Sequence, residues 1–497
     1  MLDRKAAQRW AVRLCAAVLV VGYGVSYLGN PGLPGRSARV PEGWWAWFDQ
    51  GKTLASARAF AALDLSAAAH WYSPGYSLLG APFVALGFVA HPFVLVDLAC
   101  LLLTFWAFIV FARGCGAPRG VAACVFVAAV LWNGVSFGEW AIPWNSTPAA
   151  ALVWGVLAVC GAWLKGLRRP ALLGVLVGVV PMFRPTELLP VAACVAWVLV
   201  ATWRAEGVRA GPLMRLAAGA ACGLVPYGAL HLAIYGAAPS EYMAHSREVG
   251  FTLHDFGWKA YVVLADPYEW FTDGPGLLRR LPWMALGFAG MVPALVRGRA
   301  AGMLAAALLV HMALYVSYLD LLPLGLFRYG NVHYWKWAIP GFALLAWLLV
   351  AELAGWRRAP AWAAAGGLVL VGLLSLIRVT PVAVTGPAKM VELHGDPPTF
   401  GQSYFGAIVV YDALGRLRGE GQIRAFPVRG GMRVVGLVRD LEGAVTVDPT
   451  PGLSAALLAA APARFGERVT LGRPCWLMPC GQRVRNDLLP SAPGTGP

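Results

Sequence analysis

The sequence predicts an all-α polytopic membrane domain of about eleven transmembrane helices, followed by a small mixed α/β domain. Of its 497 residues, 59% are hydrophobic and only 13% are charged, and the mean hydropathy is +0.62. Soluble domains average about 45–50% apolar residues. Apolar runs of about 20 residues, the length that crosses a bilayer, recur from residue 11 to residue 378 and then stop. We therefore predict a membrane domain over 1–378 and a second domain over 379–497.

The apolar runs define the predicted spans in chain order. They lie at 11–28, 92–112, 119–136, 148–164, 170–183, 187–203, 213–235, 281–296, 300–318, 337–354 and 360–378. The first run follows the basic segment MLDRKAAQRWAVR and has no convincing small-residue cleavage site, so we expect a retained span. The run at 170–183 is short for a span.

A further apolar stretch, at 74–90, is interrupted by Pro74, Gly75, Pro82 and Gly87. Its placement is decided by the loop charges, because short cytoplasmic loops carry an excess of Lys and Arg. If 74–90 does not cross, a cytoplasmic N-terminus puts the basic clusters on the cytoplasmic side: Arg113/Arg119, Lys165/Arg168/Arg169, Arg204/Arg209/Arg215, Arg297/Arg299 and Arg357/Arg358. We therefore predict an interfacial or re-entrant helix at 74–90 and an extracytoplasmic C-terminal domain. The net charge of +15 is attributed to the same bias rather than to nucleic-acid binding.

This topology makes the outer loops long and rich in Trp, Tyr and acidic residues. They are 29–91, 133–147, 236–280, 319–336 and the segment from 379. Loops held by a rigid scaffold tend to carry function, so chemistry is expected on the outer face. In the last domain, QIRAFPVRGGMRVVGLV predicts strands and LSAALLAAAPARF a helix. Cys475 and Cys480 are expected to form a disulfide there if the compartment is an oxidising periplasm.

The first outer loop is the most informative segment. Asp49 opens a predicted amphipathic helix that also carries Lys52 and Arg58. After Asp64 and His70, a Trp-Tyr-Ser-Pro-Gly-Tyr turn leads into the interfacial segment.

This pattern resembles a known family. The pieces are Asp49, Ala57-Arg58-Ala59 and the run Tyr72-Ser73-Pro74-Gly75-Tyr76-Ser77-Leu78-Leu79, with Phe183-Arg184-Pro185 and Phe327-Arg328-Tyr329 at later span ends and Pro340 following. Together they are similar to the polyprenyl-phosphate-sugar-dependent GT-C glycosyltransferases, which include protein mannosyltransferases and lipid A aminoarabinose transferases. The resemblance is specific over residues 43–86. The doubled Pro-Pro that some members carry before the second hydrophobic helix is absent from the loop.

The resemblance implies transfer of a monosaccharide from polyprenyl phosphate to a lipid, glycan or protein on the outer face of an inner membrane. A carboxylate accepts the proton of the attacking hydroxyl, and cationic donors hold the departing phosphate. It implies that Asp49 is the base, that Arg184, Arg328 and either Lys52 or Lys336 bind the phosphate, and that one essential carboxylate inverts the anomeric centre. Further candidates for binding the substrate or phosphate are His70, Tyr72, Tyr76 and Tyr329.

Two other acids are candidates for a second carboxylate. Asp97 lies inside an apolar run, where an acid is costly and therefore suggests function. Glu139 lies in the outer loop 133–147. No metal-ligand cluster stands out in the sequence, and no cofactor is predicted.

Each of these residues also has a structural interpretation. An acid at a helix start is favourable with the helix dipole by about 0.3–1 kcal/mol, which alone would account for Asp49. Arginines at span ends commonly extend to the interface, as Arg184 and Arg328 would. His70 could serve only to hydrogen-bond within its loop.

Other functions fit the same broad pattern. A transporter or flippase for a lipid-linked saccharide would share the spans and the aromatic belt, but such proteins often contain internal repeats, and none is evident here. An O-antigen ligase or polymerase usually acts in a large late outer loop, whereas here the informative loop comes first. A membrane scaffold would leave the Asp49 region unexplained.

Overall fold

The structure is a computed structural model. It describes residues 4–38, 40–207, 209–249, 251, 260, 264, 277–318 and 328–354, together with ten strands between 381 and 479. The chain forms two compact units. The first draws on Met1–Ala244, Leu281–Ala313 and Val332–Gly372, and the second on His245–Arg280, Leu314–Asn331 and Leu373–Pro497.

The described α-helices belong almost entirely to the apolar part of the chain. In order they are α1 (Arg4–Gly29), α2 (Phe48–Ala61), α3 (Gly75–Ala85), α4 (Val94–Gly114), α5 (Arg119–Leu131), α6 (Gly134–Ala141), α7 (Ser146–Trp163), α8 (Pro170–Phe183), α9 (Leu188–Glu206), α10 (Ala210–Tyr235), α11 (Glu241–Val249), α12 (Leu277–Arg280), α13 (Met284–Arg297), α14 (Arg299–Ser317) and α15 (Ala338–Ala354).

Six helices are long and apolar enough to cross a membrane, which confirms a polytopic helical protein. They are Lys5–Gly29, Val94–Gly114, Ser146–Trp163, Pro185–Glu206, Ala210–Tyr235 and Arg299–Ser317. Each coincides with a predicted span. The pair α5 and α6 would make a seventh, but it is bent by 95°. The bend lies at Asn133, whose side chain accepts hydrogen bonds from the backbone N–H groups of Val135 and Ser136 and so starts a new helix.

The remaining predicted spans depart from full length or fall outside the described part. Helices α8 and α13 have 14 residues each, about 21 Å at 1.5 Å per residue, against a hydrocarbon core of about 30 Å. Helix α15 has 17 residues. The predicted span 360–378 lies outside the described residues. The prediction of about eleven transmembrane helices is therefore met in part.

Helix α3 has only 11 residues, about 16 Å, and is too short to cross, as predicted for 74–90. Its start is pressed against the end of α8. A Cβ atom on Gly75 would lie 2.7 Å from the carbonyl oxygen of Met182, so only glycine permits this approach. The contact brings the Tyr72–Tyr76 turn beside Arg184.

Helices α8 and α10 pack backbone to backbone through small residues. A Cβ atom on Gly174, Gly178 or Gly219 would approach backbone atoms of the partner helix to 2.1–2.3 Å. Small residues allow such close contact between membrane helices. The packing fixes α8, whose C-terminal end carries Arg184.

The strands of the second unit form mainly one antiparallel sheet. They are β1 (Pro381–Ala383), β2 (Ala388–Gly395), β3 (Tyr404–Tyr411), β4 (Leu417–Val428), β5 (Gly431–Val438), β6 (Ala444–Val447), β7 (Ala463–Gly466), β8 (Thr470–Gly472), β9 (Pro474–Cys475) and β10 (Met478–Pro479). Six of them are ordered β6-β3-β4-β5-β2-β7, and β1-β8 and β9-β10 form separate pairs.

The predicted strands in 422–438 are present as β4 and β5, in which Val428 pairs with Gly431. The predicted helix over 453–465 is wrong at its end, because Ala463–Gly466 forms β7, and its remainder lies outside the described residues. The domain boundary at 379 and the side of the membrane on which this unit lies stay predictions.

Candidate active site

Asp49 lies in the first turn of α2, and its carboxylate is held by a tyrosine of the following turn. The Tyr72 hydroxyl donates a very short hydrogen bond to Asp49 Oδ1. Burial raises the pKa of the Tyr72 phenol well above its usual range, and Asp49, Tyr242 and Tyr334 add to the shift. The phenol therefore stays protonated and can serve as a permanent donor to the carboxylate.

Lys52 lies one turn further along α2 and contacts aromatic rings. Its ammonium nitrogen is 5.0 Å from the centroid of Trp71 and 5.6 Å from that of Phe48. Cation–π contacts of this kind hold a lysine near a site without neutralising it. Lys52 therefore lies on the same helix as Asp49 and is held by the two aromatic rings. Its binding of phosphate stays a prediction.

Arg184 is buried at the end of α8, with 4% of its surface exposed. Its guanidinium lies 4.2 Å from the centroid of the Tyr334 ring and donates to Asn145 Oδ1 at 3.1 Å. Glu187 Oε1 lies 3.7 Å from Arg184 Nε. Tyr334 also contributes to the pKa shift of the Tyr72 phenol, so the tyrosine that contacts Arg184 lies near the tyrosine that contacts Asp49.

Three consecutive polar residues at the start of α7 each meet a basic side chain. Besides Asn145, the Ser146 hydroxyl lies 3.1 Å from His333 Nδ1, and Thr147 Oγ1 accepts from Lys336 Nζ at 2.6 Å. We call these three residues with Arg184, His333 and Lys336 the outer polar cluster, since the predicted topology puts them on the outer face. Its basic members come from parts of the chain far from α7.

Burial controls the charge of the cluster. It lowers the pKa of Lys336 to about 7; Asp97 and Glu139 oppose that shift and Arg184 adds to it. Burial also lowers the pKa of His333 well below its usual range, and Arg184 and Lys336 add to this shift. The His333 imidazole is therefore neutral at pH 7. It stacks on Trp144 at 3.8 Å with an interplanar angle of 5°.

The two predicted second carboxylates are both buried, and both act on Lys336. The Tyr76 hydroxyl lies 2.9 Å from each oxygen of Asp97, and Trp144 Nε1 donates to Glu139 Oε2 at 2.6 Å. The Tyr76 hydroxyl is therefore hydrogen-bonded to Asp97. Its contact with substrate stays a prediction.

His70 is engaged by its own loop. Its Nδ1 lies 2.8 Å from Ser56 Oγ, and its Nε2 lies 2.9 Å from the carbonyl oxygen of Asp64. The ring lies 4.3 Å from Phe60, and the residue is 1% exposed. These contacts favour the structural interpretation, in which His70 fixes the loop between α2 and the Tyr72 turn.

The other predicted site residues lie outside the described part of the structure. This holds for the side chains of Arg328 and Tyr329 and for the pairing of Cys475 with Cys480. Within the described residues, no group of three His, Cys, Asp or Glu side chains is placed to hold a metal ion.

The sequence did not single out Asn145, Trp144, His333 or Tyr334 as site residues. Asn145-Ser146-Thr147 matches a glycosylation sequon, and Tyr334 belongs to an aromatic run typical of a membrane interface. The sequence signal that could have identified Asn145 is the run of three polar residues, Asn145-Ser146-Thr147, directly before an apolar span.

No family model matches the sequence, and no curated protein does. A solved structure with a similar course of the chain is that of ArnT from Cupriavidus metallidurans, bound to undecaprenyl phosphate. The two sequences are 19% identical, the match covers 74% of this chain and 64% of that one, and the TM-score is 0.46. This chain thus matches less than two thirds of the length of the ArnT chain.

Proposed function

We propose that this protein is a membrane glycosyltransferase of the GT-C type. It moves a monosaccharide from a polyprenyl-phosphate donor to a hydroxyl of an acceptor on the outer face, with inversion. The observation that carries the proposal is that the Asp49 carboxylate contacts Tyr72 and the buried Arg184 guanidinium contacts Tyr334, while Tyr334 lies near enough to Tyr72 to shift the pKa of its phenol. A base and an anion-binding group in one neighbourhood suit a displacement reaction.

The reaction needs one proton acceptor and one stabilised leaving group. The acceptor oxygen attacks the anomeric carbon and gives its proton to the Asp49 carboxylate. The bond between the anomeric carbon and the phosphate oxygen breaks, and its electron pair stays on the phosphate. Arg184 stabilises the resulting negative charge. One displacement, with no covalent intermediate, inverts the anomeric centre.

The surroundings of each group suit its role. The hydrogen bond from Tyr72 fixes the orientation of the Asp49 carboxylate. A base that is already oriented lowers the activation free energy, because less entropy is lost on reaching the transition state. Asn145 and the Tyr334 ring fix the Arg184 plane. Lys336, whose pKa lies at about 7, adds a proton-dependent positive charge to the same cluster.

The donor class rests on the motif resemblance in residues 43–86. Undecaprenyl phosphate, the lipid in the ArnT crystal structure, belongs to this class. Leu79 of α3 and Leu86, which directly follows that helix, are exposed and give an apolar surface within the motif region along which a prenyl chain can lie.

The test is a transfer assay in proteoliposomes with radiolabelled polyprenyl-phosphate sugars, supplied one at a time with an envelope acceptor. Wild type is compared with Asp49→Asn and with the matched control Asp64→Asn, an exposed acid of the same loop that accepts a bond from the Ser66 backbone. We expect label to move with wild type and with the control, and the transfer rate to fall by about 10²–10⁴-fold in Asp49→Asn.

Two outcomes contradict the proposal, and a third shows that the variants are not comparable. Equal activity in Asp49→Asn removes this residue as the base. Equal loss in both variants indicates damage to the loop. Label that changes leaflet without reaching an acceptor identifies a transporter of the lipid-linked saccharide.

A further inference from the structure

A cleft of about 880 Å³ lies at the opposite ends of the helices from the outer polar cluster. It is enclosed by the ends of α4, α7, α9, α13, α14 and α15 that carry the basic loops, which the charge rule predicts to be cytoplasmic. Its volume is in the range of ligand pockets, about 300–1,000 Å³. The proposed transfer reaction uses none of the residues that line it.

The cleft combines a cationic rim with an apolar wall. Lys165, Arg297 and Arg299 line it, and Glu352 is the acidic lining residue. Arg297 and Glu352 form a two-pronged salt bridge with each other. Among the described residues, no acidic side chain forms a salt bridge with Lys165 or Arg299. The rim therefore carries two cations that a ligand can neutralise.

The backbone adds to the positive potential of the rim. Arg299 has φ of +57°, a left-handed conformation that costs energy in a non-glycine residue, and follows Gly298 with φ of +68°. This turn separates α13 from α14 by one residue and directs Arg297 and Arg299 to the same cleft. The first residues of α14 also line the cleft, and helix N-termini attract anions.

The wall behind the rim is apolar. Trp197, Pro293, Leu348 and Leu349 line it, and a Cβ atom on Gly302 would lie 3.0 Å from the Trp197 ring. A soluble phosphate would use the rim and leave this wall exposed, whereas a lipid uses both, with its phosphate on the cations and its acyl chains on the wall.

We propose that this cleft binds an anionic phospholipid of the cytoplasmic leaflet, with its phosphate held by Lys165 and Arg299. Basic pockets between helices on the cytoplasmic side are suited to anionic headgroups. The lipid would hold together the ends of six helices of the first unit. This inference does not depend on the proposed transferase activity.

The experiment measures lipid binding to the purified full-length protein by native mass spectrometry, with phosphatidylglycerol and phosphatidylcholine titrated separately. We expect saturable binding of phosphatidylglycerol at least about tenfold tighter than that of phosphatidylcholine. The double variant Lys165→Gln with Arg299→Gln should bind phosphatidylglycerol about thirty-fold more weakly, since each 1.4 kcal/mol of lost binding free energy lowers the affinity about tenfold. The control Arg119→Gln removes an exposed basic residue of the same face that does not line the cleft and should bind as wild type does.

A second variant keeps every charge. Ala201→Trp places a large side chain in the cleft and should abolish the saturable phase, which provides a result if the double variant does not fold. Equal binding by wild type, Ala201→Trp and the double variant would overturn the proposal and leave the basic residues as topology signals only. Full competition by glycerol 1-phosphate at concentrations similar to the lipid would also overturn it, in favour of a soluble phosphate ligand.

Discussion

Replacing Arg184 tests the phosphate-binding side of the proposed reaction. Arg184 donates to Asn145, stacks on Tyr334 and lies 3.7 Å from Glu187. Loss of one preorganised donor to a developing anion costs about 2.7–4 kcal/mol, or 10²–10³-fold in rate. We therefore expect Arg184→Gln to lower the single-turnover transfer rate by about 10²–10³-fold.

A second variant distinguishes the contribution of the Arg184 charge from that of its planar geometry. Arg184→Lys retains a cation but loses the planar fork that both stacks on Tyr334 and donates to Asn145. We expect a loss of about tenfold, intermediate between wild type and Arg184→Gln. The assay is single-turnover transfer in proteoliposomes at saturating donor, so that weaker donor binding does not enter the rate.

Stability must be measured in parallel, because Arg184→Gln removes the cation beside a buried carboxylate. Glu187 keeps the hydrogen bond from Trp337 Nε1 at 2.9 Å, so the expected cost is about 1–3 kcal/mol of unfolding free energy. A transfer rate within about twofold of wild type in Arg184→Gln would refute the role of Arg184. Equal rates for the Lys and Gln variants would refute the electrostatic part of this role, because they would show that the positive charge retained by lysine does not contribute.

Three further predictions concern stability. Gly178→Leu should lower the melting temperature in detergent by the equivalent of about 1–3 kcal/mol or more, the cost of overpacking, because even its Cβ atom would lie 2.3 Å from the α10 backbone. The control Gly228→Leu has open space around its Cβ atom and should leave the melting temperature unchanged. Tyr76→Phe should cost about 1–3 kcal/mol, because it leaves the buried Asp97 carboxyl without two 2.9 Å contacts; unchanged chemical denaturation would contradict this. The pKa of Lys336 is lowered to about 7 in the folded protein, so the unfolded chain binds the proton more tightly. The free energy of unfolding should therefore rise between about pH 7 and pH 10, by up to about 1.4 kcal/mol per pH unit. Lys336→Met should lack this rise.

The sequence identified the parts of the site that have a local signature. Asp49 and Tyr72 belong to one loop, and their contact spans only 23 residues. Arg184 was recognisable because it stands before a proline at the end of an apolar run. The packing of α3 on α8 brings the end of the loop close to the end of α8 that carries the arginine.

The rest of the site depends on contacts that no local pattern encodes. Ser146 and His333 are 187 residues apart, and Thr147 and Lys336 are 189 apart. Which remote side chain meets which depends on helix packing. The lengths of the spans were also misjudged, because hydropathy does not register that Asn133 starts a new helix.

The outer polar cluster also limits which parts of the protein can move. Successive residues on a helix point about 100° apart, so Asn145, Ser146 and Thr147 connect the end of α7 to partners in three directions. A rotation or a slide of this helix by one residue would break all three connections at once. These contacts therefore hold the N-terminal end of α7 in one position. In the proposed reaction, an opening that admits donor and acceptor would then occur in segments without such contacts, and a crosslink that immobilises α7 should leave the transfer rate unchanged.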